Sequence, residues 1–464
     1  MRRLSRNPLP WNLIPTILAL AWPTMLEQLM QTAVQYVDTA MVGTLGTQAT
    51  AAVGATGTVS WLVNSTISAV GVGFLAYISQ ACGAGDYEKA RRASSQSVLA
   101  VLILGSFFTL VTTGLSGLIP VWMQVDPTIR TMASQYFFIL YAPMLFRTAT
   151  IIFGTILRAV GDSKTPMRVG LWVNVINVLL NLLLIFPSRT VSIWGLSFWM
   201  PGAGWGVIGA AVASAIAFAA GGIIITVKLL RHKVISPIGY SLKPDKTVLQ
   251  PCLQVAIPNC LQRFATSFGY VVFAAMINSL GDVATAAHSI ANTVESAFYI
   301  PGFGMQTAAA TLAGNAWGAR DKAKIQDLTR MFLPIEIGLM VLSGGLLFIF
   351  APQMMSIFSK EAAVIVLGAT VLRMVAVSEP FYGVSIIIEG MMQGMGNTRI
   401  PLVCNIAGMW GIRIVGTFIC TQLFDMGLIS AWACMIGHNL MLFAAFCFLA
   451  STGKHMPKER SRSL

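Results

Sequence analysis

Apolar runs long enough to cross a lipid bilayer recur along the whole of this chain. Of its 464 residues, 56% are hydrophobic and only 10% are charged, whereas about a quarter are charged in an ordinary soluble protein. Each run is about 20 residues or longer, the length that a helix needs to span roughly 30 Å of hydrocarbon. Because that layer holds no water, a spanning segment must satisfy its backbone groups internally. The sequence therefore predicts an all-α membrane protein.

Polar interruptions divide the chain into twelve predicted transmembrane helices, arranged as two groups of six. The first group is predicted near residues 14–43, 48–80, 92–119, 131–157, 165–187 and 203–231. The second group is predicted near residues 250–279, 283–315, 326–351, 363–391, 400–422 and 427–451. The predicted organisation is an N-terminal six-helix bundle (1–231), a cytoplasmic linker (232–247), a C-terminal six-helix bundle (248–452) and a basic cytoplasmic tail (453–464).

The two groups of spans are similar in sequence. A shift of 235 residues aligns AWPTML at Ala21 with AIPNCL at Ala256, and TLGTQATAA at Thr44 with SLGDVATAA at Ser279, without a gap. Chance similarity between apolar helices does not keep one register over several spans. Because six is an even number, both copies enter the membrane from the same side, so their symmetry axis lies along the membrane normal. We therefore expect two pseudo-symmetric six-helix bundles.

Basic residues are concentrated in alternate gaps between the predicted spans. Clusters such as Lys89–Arg92 and Arg320–Lys324 lie in one set of gaps, and the opposite set holds only Arg130, Arg189 and Lys360. Because Lys and Arg are retained on the cytoplasmic side, we predict a multi-pass protein of the bacterial inner membrane with both termini cytoplasmic. The same placement accounts for the formal charge of +13, so no nucleic-acid partner is predicted.

The first predicted span carries two acids and two amides on one face. Glu27, Gln31, Gln35 and Asp38 lie within about 80° of one another at the helical period. A charge inside hydrocarbon is costly, so an ionisable residue within a span suggests function. Asp38 lies deep in apolar sequence, and its counterpart in the second repeat is Phe273. We interpret Asp38 as a carboxylate that can hold a proton or a small cation; a role in packing alone is the alternative.

Other residues in the spans add to this hypothesis. Pro23 removes a backbone hydrogen bond four residues before Glu27, so the first helix can bend there. In the fifth span, Asn177 and Asn181 are four residues apart and share a face. Intramembrane Asn side chains often join helices by hydrogen bonds, and the spacing alone does not separate that role from binding of an ion.

Acids also lie in the eighth and tenth predicted spans. The candidates for contact with a substrate are Glu27, Gln31, Gln35, Glu295, Glu379 and Glu389. The segment Gly161–Thr165 lacks the Gly-Lys-Ser/Thr order of a phosphate-binding loop. We therefore expect no ATP site and no cofactor, and energy for any transport from an ion gradient or from a partner. The four His are isolated in the sequence, so no metal site is predicted beyond a Na⁺ at Asp38.

Several strings resemble those of one transporter family. They are Pro23 with Asp38 fifteen residues on and then MVGTLG, QACGAGDYEKARR, LRAVGDSKTP from Leu157, and NTVESAFYIPGFG before GNAWGARDKAK. They resemble the MATE (multidrug and toxic compound extrusion) family of the MOP superfamily, and are most similar in character to Firmicutes-type bacterial members. The resemblance covers essentially all twelve spans. It implies two bundles around a V-shaped cleft, with a cation site in the first bundle formed by Asp38, Asn177, Asn181, Tyr136 and Ser214.

The same resemblance implies a function. We expect an antiporter that takes up Na⁺ or H⁺ and exports organic, cationic amphiphilic compounds by alternating access. The resemblance also implies a small-molecule substrate and the lipid bilayer as partners, and a monomeric protein. A lipid-linked saccharide flippase of the same superfamily is the alternative, although such flippases usually have two more helices. A membrane-embedded enzyme is not expected, because the sequence has no HExxH motif, no paired-Asp motif and no nucleophile with a base at useful spacing.

Overall fold

The computed structural model describes residues 10–54, 57–123, 125–193 and 196–457. Helices account for most of these residues and begin and end close to the predicted spans. The helices of the first half are α1 (Ile14–Gly43), α2 (Thr47–Gly54), α3 (Gly57–Gly83), α4 (Tyr87–Gly114), α5 (Ile119–Trp122), α6 (Arg130–Tyr141), α7 (Met144–Ala159), α8 (Lys164–Leu184) and α9 (Gly206–Leu230).

The second half repeats this pattern with longer uninterrupted helices. They are α10 (Lys246–Asn278), α11 (Asp282–Phe298), α12 (Ile300–Gly318), α13 (Lys322–Phe358), α14 (Ala362–Gly394), α15 (Arg399–Ile406), α16 (Val415–Phe418) and α17 (Leu428–Ser451). Two π-helical turns, Ala407–Ile414 and Ile419–Leu423, follow α15 and α16, so that Arg399–Leu423 forms one continuous span.

Most of the predicted spans are single helices in the structure, one is a bent pair of helices, and one is divided into two helices. Ten stretches are long and apolar enough to cross a membrane, and α6 with α7 forms an eleventh that bends by 49°. Pro143 lies at that bend, directly before α7. The remaining predicted span, 283–315, is divided into α11 and α12, of 17 and 19 residues. Pro301 lies in the first turn of α12, where its missing N–H is tolerated.

A β-hairpin, which the sequence analysis did not predict, lies between α8 and α9. Strand β1 (Pro187–Ile193) pairs antiparallel with β2 (Leu196–Ala203), and Thr190 lies opposite Trp199. The segment is rich in Thr, Val, Ile, Phe and Trp, which favour strands. The sixth span therefore begins at Gly206, after the hairpin.

The chain forms two compact units. The N-terminal unit comprises Leu26–Phe74 and Tyr87–Gln250, and the C-terminal unit comprises the described parts of Met1–Met25, Leu75–Asp86 and Pro251–Leu464. Helix α1 therefore contributes residues to both units, and the change from one to the other lies just after Pro23. Within the C-terminal unit, Ile17 and Ala21 of α1 are fully buried in an apolar cluster with residues of α12, α13 and α14.

The predicted linker region packs with the N-terminal unit through hydrogen bonds to α4. Arg91 Nε donates to the backbone carbonyl of Val234 at 3.0 Å. Ser95 Oγ donates to the carbonyl of Ser241 at 2.8 Å. These bonds fix the polar segment that follows α9.

Two glycines related by the sequence repeat allow α3 and α12 to make backbone contact within the C-terminal unit. A Cβ on Gly83 would lie 1.9 Å from the carbonyl oxygen of Asn315, and one on Gly318 would lie 1.9 Å from that of Gln80. Only glycine fits at such a distance. Small residues serve this purpose in membrane helices, whose association relies on close packing.

We predict that Gly318→Ala lowers the free energy of unfolding by about 1 to 3 kcal/mol, the usual effect of overpacking. The added methyl group would force the two helices apart. Thermal unfolding of the purified protein in detergent measures the effect. Gly345→Ala is the control, because a Cβ there meets no atom within 4 Å. Equal unfolding temperatures for the two variants would contradict the predicted close contact.

Candidate functional site

Asp38 lies in the second half of α1 and contacts two asparagines of α8. Asn181 Nδ2 donates a hydrogen bond to Asp38 Oδ1 at 2.6 Å. The amide of Asn177 makes its best contacts with the nitrogen toward Asp38, 2.9 Å from Oδ1, and with the oxygen accepting from Ser214 Oγ of α9 at 2.9 Å. Three helices of the N-terminal unit thus bring together four of the five residues predicted for the cation site.

One buried oxygen beside Asp38 has no hydrogen-bond donor. Oδ1 of Asn181 is inaccessible, and none of the residues that the structure describes donates to it. Asn177 and Asn181 are 5% and 1% exposed, whereas Asp38 is partly exposed. A carboxylate with neutral oxygens at its side is the ligand type that hard cations prefer. The same carboxylate can instead take up a proton.

Tyr136, the fifth predicted residue, is buried in α6. It lies within electrostatic range of both Asp38 and Arg147. The guanidinium of Arg147 stacks on the ring of Phe218, 4.5 Å from its centre. Such cation–π contacts stabilise a desolvated charge. Arg147 therefore adds a positive charge to the surroundings of the Asp38 cluster.

Glu27 forms an ion pair with Arg158 of α7. Arg158 Nη2 lies 2.5 Å from Glu27 Oε2, and the two side chains are 15% and 11% exposed, respectively. Gly170 of α8 makes room for this pair, because a Cβ there would lie 3.3 Å from Glu27 Cγ. Gln31 and Gln35, which share the face of Glu27 and Asp38, are exposed. The polar face predicted for α1 therefore contacts other helices at Glu27 and Asp38, and is exposed between them at Gln31 and Gln35.

In the C-terminal unit, Glu389 of α14 lies in a pocket of amide donors. Its Oε1 accepts hydrogen bonds from Gln262 at 2.8 Å and from Gln393 at 3.1 Å. Its Oε2 accepts one from Asn405 at 3.3 Å. Arg263 also interacts with it electrostatically. Glu389 therefore accepts hydrogen bonds from residues of three helices, α10, α14 and α15.

The two other predicted acids of this unit, Glu295 and Glu379, interact electrostatically with one another. Both are buried, at 3% and 1% exposure. The hydroxyl of Tyr299 donates a hydrogen bond to Glu295, and Arg413 acts on the same carboxyl through space. No described residue forms a hydrogen bond with either oxygen of Glu379. The predicted acids therefore lie in the interior of the C-terminal unit.

The position that the repeat relates to Asp38 has the opposite chemistry. Phe273 occupies it, and the guanidinium of Arg413 lies 4.2 Å from the centre of the Phe273 ring. Arg413 is 2% exposed and lies in the π-helical turn Ala407–Ile414, a distortion often found at functional sites. Where one unit carries a carboxylate, the other therefore carries an aromatic ring and a cation.

Sequence reasoning missed one buried acid. Glu336 of α13 is 0% exposed, and both of its carboxyl oxygens lack hydrogen-bond partners in the described part of the chain. The signal was present, because Glu336 lies inside the predicted span 326–351 in the string LPIEIGLM. An ionisable residue within a predicted span is a functional candidate, and Glu336 was overlooked because the sequence around it is apolar.

Comparison with known proteins decides the family. The MatE family model matches residues 23–183 and 258–419. The chain belongs to the MATE family. The matched ranges include Asp38, Asn177 and Asn181 in the first half, and the buried acids in the second.

Relatives in the family carry names that refer to drug resistance. The probable multidrug resistance protein NorM of Thermotoga maritima is 27% identical over 437 residues, covering 93% of this chain and 92% of the relative. The probable multidrug resistance protein YoeA of Bacillus subtilis is 26% identical, covering 88% and 87%. The multidrug export protein MepA of Staphylococcus aureus is 24% identical, covering 81% and 79%.

Solved structures share the MATE fold with this chain. An outward-facing multidrug resistance MATE transporter of the MOP superfamily matches with a TM-score of 0.86 at 22% identity, over 96% of both chains. A MOP superfamily transporter from Pyrococcus furiosus gives a TM-score of 0.86 at 22% identity, over 94% of this chain and 95% of its own. The predicted all-α membrane fold of twelve helices is thus confirmed.

We predict that Glu27→Gln destabilises the folded protein by about 3 to 5 kcal/mol, because it removes one partner of a buried ion pair and leaves the other charge. Denaturation of the purified protein in detergent measures the loss. The double variant Glu27→Gln with Arg158→Gln should lose less than the sum of the two single changes, since the two side chains stabilise the protein as a pair. Additive losses in the double variant would mean that the two side chains stabilise the protein independently.

Proposed function

We propose that this MATE-family chain is an antiporter that exports organic, cationic amphiphilic compounds in exchange for Na⁺ or H⁺ bound at Asp38. The observation that carries the proposal is the partly exposed Asp38 carboxylate beside Asn181, whose buried Oδ1 has no described donor. The relatives named for multidrug resistance and multidrug export support drug-like organic molecules as the substrate class. They also favour export over flipping of lipid-linked saccharides and over enzymatic catalysis.

The residues around Asp38 can respond to the arrival of a positive ion. Asn181 offers an amide donor to the ionised carboxylate and a carbonyl oxygen to a cation. Asn177 and Ser214 can exchange donor and acceptor roles, because amide and hydroxyl groups supply both. Tyr136 adds a hydroxyl group within electrostatic range. Binding of Na⁺ or H⁺ at Asp38 would neutralise a charge inside the N-terminal unit.

Helix α1 is the element that can transmit this change. Asp38 and Glu27 belong to the N-terminal unit, while residues up to Met25 belong to the C-terminal unit. Pro23 lacks the N–H of a regular helix turn, so a bend there is inexpensive. MATE structures of the same fold exist in bent and straight conformations. In our proposal, ion binding favours one shape of α1, and the difference in substrate affinity between the two shapes releases the substrate.

Gln31 and Gln35 remain our candidates for substrate contact, since they are exposed on the face of α1 that carries Asp38. The acids Glu27, Glu295 and Glu379 are buried within their own units, and Glu389 is partly buried. We propose that they influence the substrate through charge rather than by direct contact in this conformation. We further propose that the protein works as a monomer in the bacterial inner membrane, with both termini cytoplasmic, without a cofactor or a nucleic-acid partner.

We predict that Asp38→Asn abolishes efflux of a cationic dye from reconstituted vesicles while the protein still folds and inserts. Asparagine cannot change charge, so ion binding would no longer distinguish the two conformations. Imposing a Na⁺ gradient and a pH gradient separately identifies the coupling ion. Asp126→Asn is the control, because Asp126 is exposed in a loop. Undiminished gradient-driven efflux by folded Asp38→Asn protein would exclude the proposed mechanism.

A second prediction concerns the support of the carboxylate. Asn181→Ala should weaken the apparent affinity for the coupling ion by about tenfold or more, the usual effect of losing a group that orients a ligand. The dependence of the efflux rate on Na⁺ concentration or pH measures this affinity. Asn174→Ala, which removes another buried amide from α8, should leave it unchanged. An Asn181 variant with normal ion dependence would remove Asn181 from the site.

A further inference from the structure

Glu336 is the most isolated acid in the described part of the C-terminal unit. Its side chain is 0% exposed, and neither carboxyl oxygen forms a hydrogen bond with a described residue. An ionised carboxylate without partners in a dry interior is prohibitively costly, and a group in that position takes up a proton instead. Glu336 therefore holds a proton in this conformation.

The surroundings of Glu336 are shaped to accommodate its carboxyl group. Oε1 lies 3.0 Å from the position that a Cβ would take on Gly302 of α12, and equally far from that position on Gly383 of α14. Met340 lies against the same two glycines. A larger residue at either position would displace the acid. The space around the carboxyl thus depends on two glycines from two different helices.

Each of the three helices that meet at Glu336 has a proline close by. Pro334 lies two residues before Glu336 within α13, and Pro380 lies three residues before Gly383 within α14. Pro301 directly precedes Gly302 at the start of α12. Because a proline inside a helix removes a backbone hydrogen bond and favours a kink, α13 and α14 can bend close to the carboxyl. Pro301 lies at the break between α11 and α12, where the chain can also change direction. Movement there would give water access to a group that is now sealed.

Other ionisable groups on the same elements define the electrostatic surroundings. Helix α13 packs against α11, α12 and α14. The titratable and charged residues of these four helices and of the α11–α12 break are Asp282, His288, Glu295, Tyr299, Lys322, Lys324, Asp327, Arg330, Glu336, Arg373, Glu379, Tyr382 and Glu389. None of the other residues in this set forms a hydrogen bond with the Glu336 carboxyl in the described part of the chain. Glu379 lies one turn before Gly383 on α14, and Glu295 interacts with Glu379, so further carboxyl groups lie along the interior.

We propose that Glu336 is a proton-binding site of the C-terminal unit, which releases its proton when α12, α13 and α14 bend at Pro301, Pro334 and Pro380 and admit water. The acid then becomes a hydrated carboxylate, and the proton passes to water. Resealing the site requires a proton to be taken up again. For its consequence in transport, this proposal rests on the ion-coupled export proposed above. Its first test does not require transport.

Infrared spectroscopy of the purified protein tests whether Glu336 carries a proton. The carbonyl stretch of a buried, protonated carboxyl should be present near neutral pH in the wild type. The intensity contributed by one carboxyl should be missing in Glu336→Gln, and the full intensity should be retained in Glu361→Gln, whose exposed acid serves as the matched control. Glu336→Asp should shift the frequency of this contribution rather than remove it. This variant provides a second infrared measurement if the glutamine variant does not fold. A spectrum unaffected by either change at Glu336 would overturn the proposal.

Efflux from vesicles tests whether the proton is exchanged. We expect Glu336→Gln to lose one component of the dependence of the efflux rate on pH that the wild type and Glu361→Gln retain, while any component due to Asp38 remains. Wild-type pH dependence in Glu336→Gln would show that the acid serves packing alone and would overturn the proposal. Failure of the Asp38 mechanism is distinguishable, because it would appear as normal efflux in Asp38→Asn. The infrared band of Glu336 should be intact in that variant.

Discussion

A polar group that water cannot reach must find its partner inside the protein, and this requirement determines most of what the chain does. It forces the backbone into helices, whose hydrogen bonds are internal. It also acts on the few ionisable side chains that the apolar sequence contains. Glu27 is paired with Arg158, and Glu389 accepts hydrogen bonds from three amides. These groups are neutralised or solvated by the protein, so they can remain buried in every conformation that keeps the contacts.

Asp38 and Glu336 differ from those satisfied groups in complementary ways. Asp38 is partly exposed and has donors from Asn181 and Asn177, together with a spare carbonyl oxygen, so a positive ion can both reach and complete the site. Glu336 is sealed and has no described partner, so it needs its own proton. In our proposal, the N-terminal unit accepts an ion and the C-terminal unit retains a proton. The pair Phe273 and Arg413, at the position symmetric to Asp38, shows that duplication of the fold did not preserve its charges.

Much of the fold was predictable because the length and the apolar composition of a membrane span can be read directly from the sequence. The predicted spans lie on the observed helices, and the repeat correctly related Gly83 to Gly318. The hairpin after α8 was missed because its polar and aromatic residues were assigned to a loop. The eighth span is less apolar and is broken near Tyr299, so length and composition alone describe it poorly. Pro301 at the start of α12 is the local signal of the break, and the predicted span ran across it.

The candidate site was predictable only in part, because the identity of a partner is a tertiary property. The helical period placed Asn177 and Asn181 on one face, and the resemblance to the MATE family connected them with Asp38 across 143 residues. No local signal in the sequence relates Arg158 of α7 to Glu27 of α1, and their ion pair depends on how the two helices come together in the fold. Glu336 was overlooked because nothing near it in the sequence is polar. For the same reason, its neighbours in the sequence offer its buried carboxyl no hydrogen-bond partner.

The central claim is that Asp38 binds the coupling ion, and ion binding to the purified protein tests it most directly. Titration with Na⁺ at constant pH, and with acid in the absence of Na⁺, counts the ions bound per chain without any transport. Our account predicts that Asp38→Asn binds one positive ion fewer than the wild type, with the Glu336 proton retained. Equal numbers of bound ions in the two proteins would contradict it.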